Sequence, residues 1–210
     1  MADEIRKLLE EIPWPEDDDK LFYVNFENFT QNAYIDEHSD ANWAAYIYGY
    51  KMAADILVNH LQSNKIDLNF LIFPIAFLYR QYLELQLKQI IKDGNLLLDH
   101  KPDFPKEHRL DKLWEQARVL ITEVFSGEIS TEYTNSLDIV EKQILEFSEF
   151  DKYSTAFRYP TDKSNNPPFL NTLNFLDLEN MKAVVGKMES LLTGAYSGIC
   201  EKLDHKFSSP

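Results

Sequence analysis

Residues 68–92 read LNFLIFPIAFLYRQYLELQLKQIIK, and this stretch decides the fold. Wound as a helix, it carries apolar side chains around nearly its whole circumference, which is typical of a helix buried on most sides. It is therefore predicted to be the central helix. Pro74 lies in its first two turns, and a proline disrupts a helix interior, so either regular helix begins near Phe73 or the chain kinks there, and the later start is favoured. The stop signal Asp-Gly-Asn at residues 93–95 predicts its end.

Other segments repeat apolar residues at helical spacing. Residues 1–12 suggest a short amphipathic helix that ends before Pro13 and Pro15. A helix beginning near Ser39 as N-cap presents the stripe Trp43, Ile47, Tyr50, Ala54, Leu57 and Leu61. A third helix, closed by Gly127, presents Leu110, Leu113, Trp114, Ala117, Leu120, Ile121 and Val124. A fourth presents Leu137, Val140, Ile144 and Phe147.

The last helix is predicted to run from about Leu178 to Leu203. Its buried face comprises Met181, Val184, Val185, Met188, Leu191, Leu192, Ala195 and Ile199. Gly194 and Gly198, four residues apart, predict a close approach of a neighbouring helix.

The segment before the last helix has a different character. Residues 153–175 contain three prolines and no helical period, which fits a loop or a small β-hairpin.

These elements predict an all-α, up-down bundle of four to five long helices. An N-terminal extension over residues 1–37 precedes the helical domain at residues 38–205, and residues 206–210 form a tail. With 44% hydrophobic residues in 210, the chain can bury one substantial core.

Charge and cysteine content restrict the partners. A formal net charge of −14 disfavours non-specific binding to nucleic acid or anionic lipid, although one basic patch is compatible with it. The most apolar run, residues 70–78, is far shorter than the roughly 20 residues that span a bilayer, so no membrane association is expected. The single cysteine, Cys200, and the lack of a leader-like start predict a cytoplasmic protein.

Motifs for cofactors are missing. The six glycines are scattered, so no phosphate-binding loop is present. His100 and His108 share a loop with Asp99 and Asp103, but no histidine pair has the spacing of a helical zinc site. We therefore predict no metal and no cofactor.

Arg80, Glu84 and Lys88 form a charged stripe at i, i+4 spacing on the central helix. Charges on a buried helix need partners or a polar cavity. One interpretation is a mutually paired ladder on the one wet edge of the helix. The other is that Arg80 points into a pocket and binds an anion while Glu84 orients it.

Two further residues are candidates for a site. His108 stands just before the third helix, where it could cap the helix or face a cleft. Arg158 is flanked by Phe157 and Tyr159 in a stretch with few other charges. Its guanidinium could pair with a carboxylate to fix the loop, or it could stack on aromatic rings and bind a phosphate or base.

The same segments together resemble the HEPN superfamily (higher eukaryotes and prokaryotes nucleotide-binding). Residues 77–88 are similar to the family helix in which a Glu and a Lys are spaced by four. Residues 108–114 resemble its His-x-Leu-x-x-Leu start, and residues 153–162 are similar to its Tyr…Arg-Tyr-Pro-x-Asp segment. The resemblance covers roughly residues 70–200 in order.

The resemblance implies a bundle of four or five helices, frequently a homodimer, used in bacterial toxin–antitoxin, phage-defence and RNA-processing systems. Many members are metal-independent ribonucleases that carry Arg, four to six residues, then His. In this chain no histidine has an arginine at that spacing. The resemblance therefore favours a non-catalytic module that binds a nucleotide, RNA or a partner protein through Arg80, Glu84, His108, Arg158 and Tyr159.

Two alternatives belong to other classes of protein. One is a degenerate ribonuclease in which His108 works with Arg158 or Arg80. The other is a structural protein that dimerises through exposed aromatic side chains in residues 22–29 or 46–50.

Overall fold

A computed structural model describes residues 14–35, 39–162, 164–168 and 173–208, with only the backbone at 39–42. The chain divides into two compact units, Met1–His38 and Ser39–Pro210. The helix predicted for residues 1–12 lies outside the described residues.

The first unit contains a loop closed by two asparagine side chains. The Asn25 backbone N–H donates to Asn32 Oδ1 at 2.8 Å, and Asn32 Nδ2 donates back to the Asn25 carbonyl at 2.9 Å. A short 3₁₀ helix, Phe29–Gln31, lies inside the loop. Phe22 and Phe26 are exposed, so the part of this unit that the structure describes buries little apolar surface.

The second unit is all-helical within its described residues, and the predicted all-α bundle is confirmed. Its helices are α1 (Ser39–Ser63), α2 (Leu68–Leu97), α3 (Leu110–Val124), α4 (Thr131–Phe150) and α5 (Leu178–Ser208). Helix α2 packs against α1, α3 and α5, and α4 packs on α3. Helix α2 is therefore the central helix, as predicted. Among the described residues, no helix combines the length and apolarity that crossing a bilayer requires.

Both predicted ends of α2 are wrong. The helix begins at Leu68 and runs through Pro74, so the proline sits inside it and removes one backbone donor. The helix also continues past Gly94 to Leu97. Gly94 is buried where α2 meets α3, and a Cβ there would make an ordinary van der Waals contact of 3.4 Å with Leu120 Cβ.

The real end of α2 is formed by a residue in the left-handed region. Asp99 has φ 59°, the His100 N–H donates to the Asn95 carbonyl at 2.8 Å, and the Asp99 N–H donates to Leu96. These two bonds form a Schellman motif, in which aspartate takes the position usually held by glycine.

The remaining helices bury the predicted stripes. Ile47, Ala54 and Leu61 are buried on α1, and α3 buries every predicted residue except Val124, which is half-buried. Ser130 caps α4 by accepting the Tyr133 N–H at 3.2 Å. Helix α5 extends to Ser208, into the predicted tail, where Lys206 Nζ donates to the Leu97 carbonyl at 2.8 Å.

The described residues between α4 and α5 form a loop. No strand occurs in its described residues, so of the two predicted alternatives the β-hairpin is not found. Asp162 closes a tight turn instead, because its Oδ1 accepts the N–H groups of Ser164 and Asn166 at 2.7 and 2.9 Å.

The two glycines of α5 provide a matched pair for testing helix packing. A Cβ at Gly198 would lie 2.7 Å from the Phe125 ring, whereas one at Gly194 meets nothing within 4 Å. We expect Gly198→Ala to lower the free energy of unfolding by about 1 kcal/mol, since overpacking outweighs the gain in helix propensity. Gly194→Ala should raise it by up to about 1 kcal/mol. Urea denaturation measures both, and equal shifts would contradict the close approach.

Candidate functional site

The charged stripe of α2 is a paired ladder that lies inside the protein. Arg80 Nη1 donates to Glu84 Oε2 at 2.8 Å, and Lys88 Nζ donates to Glu84 Oε1 at 3.0 Å. All three residues are buried. The predicted pairing is therefore present, but the predicted wet edge is not.

Arg80 also binds two segments that are distant in sequence. Its Nη2 donates to the His108 carbonyl at 2.6 Å, and its Nε donates to the Asp151 carbonyl at 3.3 Å. The Asp151 carboxylate lies 3.3 Å from the same Nε. Each guanidinium nitrogen thus has a protein acceptor and the side chain is 0% exposed. This geometry favours the ladder interpretation, with Arg80 as a residue that positions two loops.

Glu84 is ionised although it is buried. Burial alone would raise the pKa of its carboxyl, but hydrogen bonds from Arg80, Lys88 and His108 outweigh that effect and lower it. The carboxylate therefore compensates the two buried cations at neutral pH.

His108 is fixed at one ring nitrogen and open at the other. Its Nδ1 lies 2.8 Å from Glu84 Oε1, while its side chain is 68% exposed. Because a carboxylate accepts, Nδ1 carries the proton, and in the neutral ring Nε2 is the basic atom. His108 does not cap α3, since Arg109 is the N-cap residue.

The turn that carries Arg158 is built on Asp151. Asp151 Oδ1 accepts the N–H groups of Thr155 and Ala156 at 2.7 and 3.0 Å. The Thr155 carbonyl then accepts the N–H groups of Arg158 and Tyr159 at 3.1 and 3.0 Å. Asp151 was missed by the sequence reasoning. One sequence feature could have identified it: Asp151 follows the end of the predicted fourth helix, where the helix dipole disfavours a carboxylate unless a cation is near.

Arg158 itself is exposed and lies against aromatic rings. Its Nε donates to the Ser154 carbonyl, and its guanidinium carbon lies 5.7 Å from the Phe77 ring centre and 5.6 Å from that of Tyr159. No carboxylate pairs with it among the described residues. Of the two predicted arrangements, stacking is observed, and the Nη groups remain open to a ligand.

Arg80 therefore connects the loop of His108 with the loop of Arg158. The second loop also exposes Tyr153, with Lys152 Nζ 5.7 Å from its ring centre. We call the exposed side chains of His108, Lys152, Tyr153, Arg158 and Tyr159 the two-loop surface. It combines cations and aromatic rings in a chain of net charge −14.

Three of the four residues considered as metal ligands pair with other side chains. Asp99 pairs with Lys206, Asp103 with Lys101, and His108 with Glu84. Within the ranges that the structure describes, no cluster of three such residues could hold a metal ion.

Comparison of the chain with protein-family models, curated proteins and solved structures finds no match. The resemblance to the HEPN superfamily therefore rests on the quoted motifs alone.

Proposed function

We propose that this protein is a non-catalytic binding module that takes a phosphate-bearing ligand, a nucleotide or an RNA end, at the two-loop surface. The observation that carries the proposal is Arg158, which is anchored at Nε, stacked on two rings and open at its Nη groups. An arginine held in this way loses little side-chain entropy when it binds a phosphate with both Nη groups.

The neighbouring rings suit the rest of such a ligand. Tyr153 and Tyr159 are both exposed, and an exposed ring can stack on a nucleobase of any kind. The net charge of −14 opposes long polyanions, so the proposal concerns a short ligand that meets the protein only at this surface. Few phosphates would be neutralised, and binding should depend only weakly on salt.

Arg158→Gln is expected to weaken binding of AMP or of a labelled short single-stranded RNA by about tenfold or more, since a charge-assisted phosphate contact contributes about 1.5–3 kcal/mol. Fluorescence polarisation for the RNA and calorimetry for AMP measure the Kd. Lys187→Gln is the matched control, because it removes one positive charge from an exposed position on α5. Equal Kd values for both variants and the unmodified protein would contradict the proposal.

A second candidate function is a degenerate, metal-independent ribonuclease. It is favoured by the Glu84–His108 pair, in which a buried carboxylate orients an exposed imidazole through Nδ1. Labelled RNA incubated with the protein and a chelator separates the two functions. Cleavage that disappears in His108→Ala would make the protein an enzyme, and intact RNA would favour the binding module.

The resemblance favours a module of a bacterial defence or toxin–antitoxin type system that acts with a partner protein or a second copy of itself, and the single cysteine favours the cytoplasm. The exposed side chains of Phe22, Tyr46 and Tyr48 are compatible with homodimerisation. Light scattering tests the homodimer directly, and the neighbouring genes would indicate the system.

A further inference from the structure

Helix α2 carries a second polar stripe on the side opposite the charged ladder. Tyr82, Gln86, Gln89 and Asp93 recur at spacings of four, three and four residues, and so lie on one face. At 100° per residue, this face points about 180° away from Arg80, Glu84 and Lys88. The two stripes therefore serve different regions of the protein.

The second stripe borders a cavity of about 370 Å³ between α1, α2 and α5. Its polar side is a chain of hydrogen bonds, in which Gln89 Nε2 donates to Tyr196 Oη at 2.6 Å and Tyr196 Oη donates to Asp93 Oδ2 at 3.1 Å. Ile47 and Leu203 contribute apolar walls. This size falls in the range of small-molecule sites.

Two residues that line the cavity carry buried donors that have no acceptor among the described residues. Gln86 is 4% exposed, and its Nε2 finds no hydrogen-bond partner among the described residues. The same is true of Trp43 Nε1 on α1. A buried donor without a partner costs about 1–3 kcal/mol, and a native structure tolerates few of them. Both nitrogens lie beneath the cavity surface, and the Gln86 amide could meet an acceptor in the cavity by turning about its terminal torsion.

We infer that this cavity binds a small uncharged molecule that has an apolar body and a carbonyl oxygen. The carbonyl accepts from the Gln86 amide, whose terminal torsion is soft enough to turn the N–H into the cavity. The Trp43 ring also lines the cavity, although its Nε1 is buried. Lys92 and Asp93 both line the cavity, so neither sign of ligand charge is favoured.

This inference is independent of the proposed function, since the two-loop surface and the cavity involve opposite faces of α2. A ligand here would contact three helices at once. Its binding would therefore stabilise the bundle through mass action.

The test is a titration of the ¹⁵N-labelled protein with benzamide, followed at the indole N–H resonances of its three tryptophans. Trp43→Phe assigns the signal. Benzamide is expected to shift the Trp43 signal saturably at millimolar concentration. Toluene, which lacks the carbonyl, and benzoate, which is charged, should bind at least about tenfold more weakly.

Gln86→Leu supplies the decisive variant, with Gln81→Leu as the control on the same helix. Gln86→Leu should weaken benzamide binding about tenfold without lowering the Tm, because it removes an unpaired donor. Gln81 is half-buried, does not line the cavity and should leave the Kd unchanged. Equal affinity of Gln86→Leu, equal shifts with toluene, or no saturable shift at Trp43 would each overturn the inference.

Discussion

Arg80→Met is expected to lower the free energy of unfolding by about 3–5 kcal/mol at neutral pH, the range for breaking a buried ion pair. The substitution keeps much of the side-chain volume but leaves Glu84 and Asp151 without their shared cation. The carbonyls of His108 and Asp151 also lose a buried donor. Urea denaturation followed by circular dichroism measures the change.

Arg118→Met is the control for this experiment. Arg118 pairs with Asp138 and Glu141 between α3 and α4, but its ion pairs are partly exposed. Exposed ion pairs contribute about 0–1 kcal/mol, so Arg118→Met should lower the free energy of unfolding only slightly. A loss below about 1 kcal/mol for Arg80→Met would contradict its role in joining the two loops. If the variant does not fold, Arg80→Lys keeps the charge with fewer donors and should give an intermediate loss.

Glu84→Gln is expected to destabilise the protein by a similar amount near neutral pH, and the loss should shrink in acid. The amide replaces the only carboxylate that Lys88 contacts among the described residues and one of two that contact Arg80. Because the pKa of Glu84 is lowered in the folded protein, its contribution is present above the unfolded value of about 4.5. That contribution is lost as the pH falls through the lower folded pKa.

The measurement is urea unfolding of both proteins between neutral pH and about pH 3.5. The difference in unfolding free energy between Glu84→Gln and the unmodified protein should decrease below about pH 4.5. A constant difference across this range would show that Glu84 does not titrate as the ladder requires.

The helices were predictable where their pattern was periodic. The bounds of α3 follow from its regular stripe and from Gly127, which has φ 81°. The ends of α2 were not predictable from local signals. Gly94 lies inside the helix and does not end it. The left-handed residue that ends the helix is Asp99, for which the conformation costs more than for glycine.

The sequence predicted the charged side chains of the candidate site, but it did not predict which backbone carbonyls accept hydrogen bonds from them. The spacing of Arg80, Glu84 and Lys88 indicates pairing along a helix, whatever the tertiary structure. The partners that bury the ladder are the backbone carbonyls of His108 and Asp151. Every residue has such a carbonyl, so no sequence pattern reveals which of them Arg80 selects.

The anchoring of both loops on one guanidinium has a consequence for how this sequence can evolve. Substitution of any single member, whether Arg80, Glu84 or Asp151, leaves the others charged in a dry interior. A single substitution at any of these positions would therefore destabilise the protein and would not be selectively neutral. The set can be exchanged for apolar residues only by concerted replacement, while Arg158 and Tyr159 on the surface remain free to vary with whatever they bind.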